Sequence, residues 1–238
     1  MTSQAVRYDR GSPVIAVVNE SERADDRDLA RVLRALQKQI DQDFFPLWGW
    51  RADLVFARRR RRAMQIVIKD EPDTANTPAY HFIEGLPTTY VFTQDDDGKP
   101  IEYHSAISHE ALEMIADPGV NLYAAGYYIK SRRHYHAWIP YEVCDPVQDN
   151  WYAIDGIRMS DFVVPEWFEA ERERRSMKFS FRDSVSEPFA IAKGGYVDAV
   201  VGKRIRTVWG VRANRKKRRH RLEARAELAG LRRGSGSR

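Results

Sequence analysis

The segment SAISHEALEMIAD, residues 105–117, constrains the fold most, because it predicts a helix with two sharply different sides. At about 100° per residue, the side chains of His109, Glu110, Glu113 and Asp117 fall within one arc of roughly 100°. Apolar side chains occupy the rest of the circumference: Ile107, Leu112, Met114 and Ile115. The helix must therefore bury its apolar side in a core while it holds four ionisable groups together.

The spacing of these ionisable groups is that of a metal-binding helix. His109 and Glu113 lie one turn apart and can bind one cation, and Glu110 can act as a general base towards a water on that cation. The pattern is HExxE, in which Glu113 replaces the second histidine of the HExxH helix. A carboxylate can bind zinc, but it weakens the metal as a Lewis acid and also admits manganese. The alternative interpretation is a charged helix face that contacts only water.

The patterns before this helix predict one helix and four strands. PVIAVVNES, RADLVFA, AMQIVIKDE and GLPTTYVFTQ read as strands, and Gly85 and Pro87 make the last of these an edge strand. Residues 24–45 read as a helix that ends near Pro46 and Gly49. Its predicted core side chains recur at helical spacing: Leu29, Val32, Leu33, Leu36, Ile40 and Phe44. The second half of the chain is rich in aromatic and turn residues and predicts short strands and loops, so the fold class is α+β.

This order of elements resembles the upper lobe of a zincin metallopeptidase. SHEALEMIADPGVNL, YEVCDPVQDNWYAIDGIRMSDFVVPEWF and PFAIAKGGY resemble segments of an uncharacterised bacterial family with zincin-like HExxE helices, over about Pro13 to Val201. The resemblance implies an upper lobe of sheet and motif helix at 13–118 and an irregular lower lobe at 119–211. It also implies that the edge strand binds an extended peptide.

The resemblance implies a zinc site, with manganese as the alternative metal. His109 and Glu113 would be ligands, Glu142 the third ligand, and Glu110 the base that activates water for hydrolysis of a peptide bond. Further side chains have supporting or alternative roles: Asp117 orients a ligand, Asp145 can replace Glu142, and Tyr141 or Tyr152 can stabilise an oxyanion. Cys144 is a possible thiolate ligand, although a lone cysteine more often packs as a small apolar side chain.

A basic tail is the second informative feature. The chain carries 39 Lys and Arg against 34 Asp and Glu. From Lys203 onward there are 14 Lys and Arg but only 2 Glu, so the residues before Lys203 contain 25 basic and 32 acidic side chains. The segment 212–238 reads as a flexible tail. The densest cluster of basic residues within it predicts contact with nucleic acid or another polyanion. These polyanion-binding candidates are Arg215, Lys216, Lys217, Arg218, Arg219 and Arg221. No aromatic residues stand between them for base stacking.

The basic tail supports an alternative function, a non-enzymatic structural or binding protein that docks to nucleic acid or to an assembly such as a phage particle. The run Arg58–Arg62 between two strands could add to the same charge. Other classes find no support, since the sequence has neither a phosphate-binding loop nor a GxSxG elbow. With one cysteine, no secretion signal and no apolar run of membrane-spanning length, we expect a cytoplasmic protein without disulfides.

Overall fold

The computed structural model of this protein describes residues 12–58, 63–72, 79–84, 86–130, 133–169 and 178–210, without the side chains of 80–84. Within these ranges the chain forms strands in three sheets together with a few helices. The α+β prediction is confirmed. No helix in this part of the chain is both long enough and apolar enough to cross a membrane.

The first sheet has five strands in the order β2-β1-β3-β5-β4. Strands β2, β1, β3 and β5 run parallel, and β4 pairs antiparallel with β5. The bounds are β1 Val14–Asn19, β2 Asp53–Ala57, β3 Met64–Lys69, β4 Ala79–Glu84 and β5 Leu86–Phe92. The helical segment between β1 and β2 provides the crossover that two parallel neighbours require.

The sheet edge differs from the sequence prediction. The segment GLPTTYVF contains β5, which pairs with strands on both sides, and β4 forms the edge instead. Pro87 is tolerated near the start of β5 because the pairing of β5 with β3 begins only at the next residue, Thr88. The missing N–H of this proline therefore costs no hydrogen bond to β3. The strand at residues 79–84 was not predicted from the sequence.

The first helix, α1, spans Asp26–Lys38, and the Asp25 carboxylate caps it by accepting hydrogen bonds from two backbone N–H groups. The helix continues as a π-helical segment, Gln39–Phe44, and as the short α2, Phe45–Trp48. The chain therefore passes Pro46 and ends its helix at Gly49, whose φ of 70° is left-handed. The predicted core side chains are all buried: Leu29, Val32, Leu33, Leu36, Ile40 and Phe44.

The motif helix, α3, spans His104–Ala116. It begins one residue earlier than predicted because the Glu102 carboxylate accepts hydrogen bonds from the backbone N–H groups of His104 and Ser105. The helix packs against β3, β4 and β5 of the first sheet and also against a later strand, β9, which spans Ile157–Ser160. It is thus enclosed between the first sheet and the second half of the chain.

The second half forms strands and loops, as predicted, but Tyr123–Lys130 and Arg133–Pro140 have eight residues each and are not the short strands expected. A four-stranded antiparallel sheet has the order β11-β10-β7-β6, and β8 and β9 form a separate hairpin. The bounds are β6 Tyr123–Lys130, β7 Arg133–Pro140, β8 Trp151–Ile154, β9 Ile157–Ser160, β10 Tyr196–Val201 and β11 Arg204–Trp209. One hydrophobic cluster extends from Ile15 in β1 to Ala199 in β10, so both halves of the chain contribute to the same core.

Candidate metal centre

The charged arc of α3 is buried. Glu110, Glu113 and Asp117 are 6%, 3% and 6% exposed, and the side chain of His109 is 17% exposed. The alternative interpretation, in which the charged side chains contact only water, is therefore wrong. Since burial of a charged group is costly without compensating partners, the surroundings of these side chains decide what they can do.

A buried polar network fixes the rotation of α3. The Ser108 hydroxyl donates a 2.7 Å hydrogen bond to Gln39 Oε1 and accepts one of 3.0 Å from the backbone N–H of Ser160. Gln39 Nε2 in turn donates to the Ser160 carbonyl at 2.8 Å. These bonds connect α3 to the π-helical segment and to β9. The turn of α3 that follows Ser108 carries the ionisable side chains. The hydrogen bonds hold this turn against the part of the chain that follows β7.

The structure brings three potential ligand atoms together at this position. One atom each of His109, Glu113 and Cys144 lies within 4.8 Å of the other two, and His109 Nε2 is 3.2 Å from Glu113 Oε2. Among the described residues this trio is the group of histidine, cysteine and acidic side chains whose spacing suits a metal ion. We call it the His-Glu-Cys trio.

The loop after β7 orients Glu113. The backbone N–H groups of Cys144 and Asp145 donate to Glu113 Oε1 at 3.1 and 3.3 Å. Glu113 Oε2 is thereby directed to His109. A carboxylate held through one oxygen presents the other at a defined position, which is how ligands in metal sites are commonly oriented.

His109 lies between two carboxylates. Its Nε2 is 3.4 Å from Asp145 Oδ1, in addition to the contact with Glu113. Burial by itself lowers the pKa of the imidazole, but Glu113, then Asp145 and Glu110, outweigh it and hold the pKa of His109 well above its usual value. Without a metal ion, the imidazolium therefore neutralises part of the negative charge of the cluster.

Cys144 completes the trio as a fully buried thiol. Burial, followed by the charge of Glu113, raises its pKa well above the usual range, while a hydrogen bond with Ser160 acts in the opposite direction. The thiol is therefore neutral without a metal. Because the metal ligand is the thiolate, a bound zinc ion would displace this proton.

Two predicted residues lie near the trio but outside it. Glu142 is half-buried, two residues before Cys144, and does not belong to the trio. Asp117 ends α3, and its Oδ2 accepts a 2.7 Å hydrogen bond from the backbone N–H of Leu122. That bond closes the loop between α3 and β6. The proposed role of Asp117 in orienting a ligand stays a prediction.

The two tyrosines considered for an oxyanion have other contacts. The Tyr152 hydroxyl donates to Asp43 at 2.7 Å and accepts from Gln39 at 3.0 Å, so it extends the network around Ser108. Burial and the Asp43 carboxylate raise its pKa. Tyr141 stacks on Phe168 with ring centroids 4.4 Å apart. Both side chains pack against the hydrophobic core.

Several other predicted residues lie away from the trio or beyond the described ranges. The tail residues Arg215, Lys216, Lys217, Arg218, Arg219 and Arg221 fall outside the described residues, as do Arg59–Arg62 of the arginine run; Arg58 is exposed. The tail's predicted contact with a polyanion stays a prediction.

In comparisons with known proteins, no family model, curated protein or solved structure matched this chain. Function must therefore be inferred from the chemistry of its own residues.

The metal-free protein is expected to lose stability as the pH rises above about 6.5, the ordinary pKa of histidine. The pKa of His109 is raised on folding, so its contribution is fully present below that pH and is lost as the pH passes its folded-state pKa. Urea unfolding with a chelator present, at several pH values from 6 to 9, measures this. In His109→Gln the dependence should be flatter; an unchanged dependence would show that other groups control it.

Proposed function

We propose that this protein is a zincin-like, zinc-dependent hydrolase of peptide bonds. The observation that supports this most directly is the buried His-Glu-Cys trio, formed by the HExxE helix and the loop after β7. Two ligand residues come from one turn of α3. The third comes from the second half of the chain, as the zincin resemblance implies.

The donor atoms of the trio suit zinc. Two ligand atoms about 2.0–2.3 Å from one tetrahedral zinc ion lie about 3.3–3.8 Å apart. Within the trio, His109 Nε2 and Glu113 Oε2 lie 3.2 Å apart, and the three ligand atoms all lie within 4.8 Å of one another. These distances are compatible with such a site after small adjustments. A thiolate favours zinc over manganese, which prefers oxygen ligands. We therefore propose Cys144 as the third ligand, in place of Glu142.

Zinc, when bound, would supply Lewis-acid polarisation of a substrate carbonyl and lower the pKa of a water. Glu110 follows His109 on the same helix, and its charge acts on the imidazole. Its carboxylate would take a proton from the attacking water and deliver it to the leaving amine. The exposed part of His109 marks the side from which substrate would approach, since the other two members of the trio are buried.

The substrate would be an extended peptide. The edge strand β4 packs next to α3, and its outer side carries no strand among the described residues. An extended segment can add to such an edge through main-chain hydrogen bonds. That arrangement would place the scissile bond along the helix that carries Glu110.

The proposal is tested first by metal content. Protein purified without a chelator or affinity nickel should contain or take up about one zinc per chain, and His109→Ala and Glu113→Ala should lose it while remaining folded. His104→Ala is the matched control, because His104 lies on the same helix but pairs with Asp28 at 2.8 Å. A peptide library is then screened with the zinc-loaded protein. Failure to take up zinc would reject the proposal.

Asp145 supports a second candidate, a structural zinc site in a non-enzymatic protein. Its Oδ1 lies 3.4 Å from His109 Nε2, so His109, Glu113, Cys144 and Asp145 could together fill four coordination positions. A site closed by four protein ligands leaves no position for substrate. Asp145→Ala separates the candidates: a large loss of zinc affinity indicates a structural site, and retained affinity indicates an open position.

A further inference from the structure

The four-stranded sheet presents apolar side chains to solvent on one of its faces. Registered neighbours in antiparallel strands share a face. One registered row crosses all four strands and consists of Ala125, Trp138, Val200 and Ile205. Trp138 is 54% exposed and Ile205 is 48% exposed. We call the side of the sheet that carries this row the Trp138 face; the opposite side contributes Ile139 to the hydrophobic core.

Further rings extend the Trp138 face along the strands. Tyr123, 46% exposed, is two residues from Ala125 on β6 and therefore lies on the same side of the sheet. His134 and His136 alternate with Trp138 along β7 in the same way, and both are exposed. An exposed patch of neighbouring apolar and aromatic side chains is typical of a surface that contacts another protein.

The basic side chains of these strands stand on the other side of the sheet. Lys130, Arg133 and Arg204 occupy positions that alternate with those of the Trp138 face. Within the four strands, the Trp138 face carries one carboxylate, that of Asp198, and no lysine or arginine. Like charges placed opposite each other disfavour association. Two copies of the Trp138 face therefore meet little electrostatic repulsion.

Two polar groups near the centre of the Trp138 face are complementary under a twofold rotation. Asp198 comes two residues before Val200 on β10, and His136 comes two residues before Trp138 on β7. Because these strands are antiparallel, the two side chains lie on opposite sides of the registered row. A twofold axis along the row brings His136 of one copy beside Asp198 of the other, so the face is self-complementary.

The Asp198 carboxylate can accept such a contact. Its Oδ1 accepts a 2.6 Å hydrogen bond from the Thr207 hydroxyl of the neighbouring strand. An ionised carboxylate has about four acceptor positions, so this bond leaves room for a further donor such as an imidazole N–H. The same rotation places Trp138 of the two copies together at the axis.

The size of the Trp138 face suits a weak dimer. Its strands have six to eight residues each. Four such strands, about 4.8 Å apart and rising about 3.3 Å per residue, cover roughly 400–500 Å². Two copies of the face together bury on the order of 1,000 Å², which is near the lower limit for a specific interface. A central tryptophan is the type of residue on which the affinity of such an interface depends.

We propose that this protein forms a homodimer in which the Trp138 faces of two copies pack together. The contact is isologous, and its core is the registered row, with Trp138 at the axis. His136 and Asp198 form polar contacts on both sides of the axis. Face-to-face packing of two sheets is a common arrangement, with the sheets about 10 Å apart. This inference does not depend on the metal centre.

The test is sedimentation velocity of the full-length chain over a range of concentrations. We expect a monomer–dimer equilibrium with a Kd on the order of micromolar. Trp138→Ala should raise this Kd at least about 30-fold, because truncation of a central aromatic residue commonly has an effect of that size. His136→Glu should also raise it, since the new carboxylate would lie beside Asp198 of the other copy. Circular dichroism checks that both variants fold, as the exposure of these side chains leads us to expect.

Tyr135→Ala is the matched control. Tyr135 is an exposed ring on the same strand as Trp138, at 39% exposure, but it stands on the opposite side of the sheet. There its ring stacks on Tyr128 with centroids 5.2 Å apart. This variant removes a comparable ring without changing the Trp138 face, so it should dimerise as wild type does.

Three results would overturn the proposal. A monomer at every concentration would leave the Trp138 face to a partner other than a second copy. An equal Kd for wild type and Trp138→Ala would place the dimer contact elsewhere on the surface. A larger loss of dimer in Tyr135→Ala than in Trp138→Ala would assign the contact to the opposite side of the sheet.

Discussion

Cys144→Ser is expected to lower the zinc affinity of this protein at least about 100-fold, since even the partners of metal ligands contribute about 10–100-fold. Serine is nearly isosteric with cysteine, and Ser160 is already a hydrogen-bond partner at this position, so the variant should fold. A hydroxyl is a much poorer zinc ligand than a thiolate. Competition with a chromophoric chelator measures the affinity.

Glu142→Gln is the control for this experiment and also the strongest challenge to it. Glu142 lies two residues from Cys144 but outside the trio, so its variant should bind zinc as wild type does. The opposite result, normal affinity in Cys144→Ser and a large loss in Glu142→Gln, would restore the ligand assignment made from the sequence. It would also mean that the loop after β7 rearranges when the metal binds.

Glu110→Gln is expected to reduce hydrolysis about 10²–10⁴-fold, the usual contribution of a general base. Glutamine retains the shape of the side chain but cannot accept the proton of the attacking water. Since Glu110 is not a member of the trio, zinc affinity should stay within a few fold of wild type. The measurement is kcat on the best substrate from the peptide library, with zinc content determined on the same sample.

The two readouts together separate catalysis from metal binding. Glu113→Gln should lose both zinc and activity, whereas Glu110→Gln should lose activity alone. Undiminished hydrolysis by Glu110→Gln would remove this residue from the mechanism. If the wild type binds one zinc tightly and cleaves no peptide, the structural site that includes Asp145 becomes the better account of the cluster.

Several parts of the fold could be predicted from local patterns alone. The apolar spacing in residues 24–45 identifies side chains that are all buried, such as Leu29 and Phe44. The i, i+4 spacing of His109 and Glu113 predicts two side chains one turn apart, and their atoms approach to 3.2 Å. These predictions succeed because helix geometry is local and nearly invariant.

The edge strand shows where local patterns fail. Gly85 and Pro87 are typical of an edge, but Pro87 stands near the start of β5, a strand that is paired on both sides. Which strand occupies the edge depends on the pairing of β4 with β5, and on β3 taking the other side of β5. A pattern within one segment contains no information about its neighbours in the sheet.

Local patterns were sufficient to predict the α+β class, the two-sided motif helix and the pairing of His109 with Glu113, because each follows from periodicities within one segment. The burial of the charged arc, and the approach of Cys144 to His109 and Glu113, become visible only in the tertiary structure. Hydrogen bonds from the backbone N–H groups of Cys144 and Asp145 to Glu113 set the direction of that loop. Such contacts link residues some thirty positions apart, and their geometry exists only once both segments have packed into the same core.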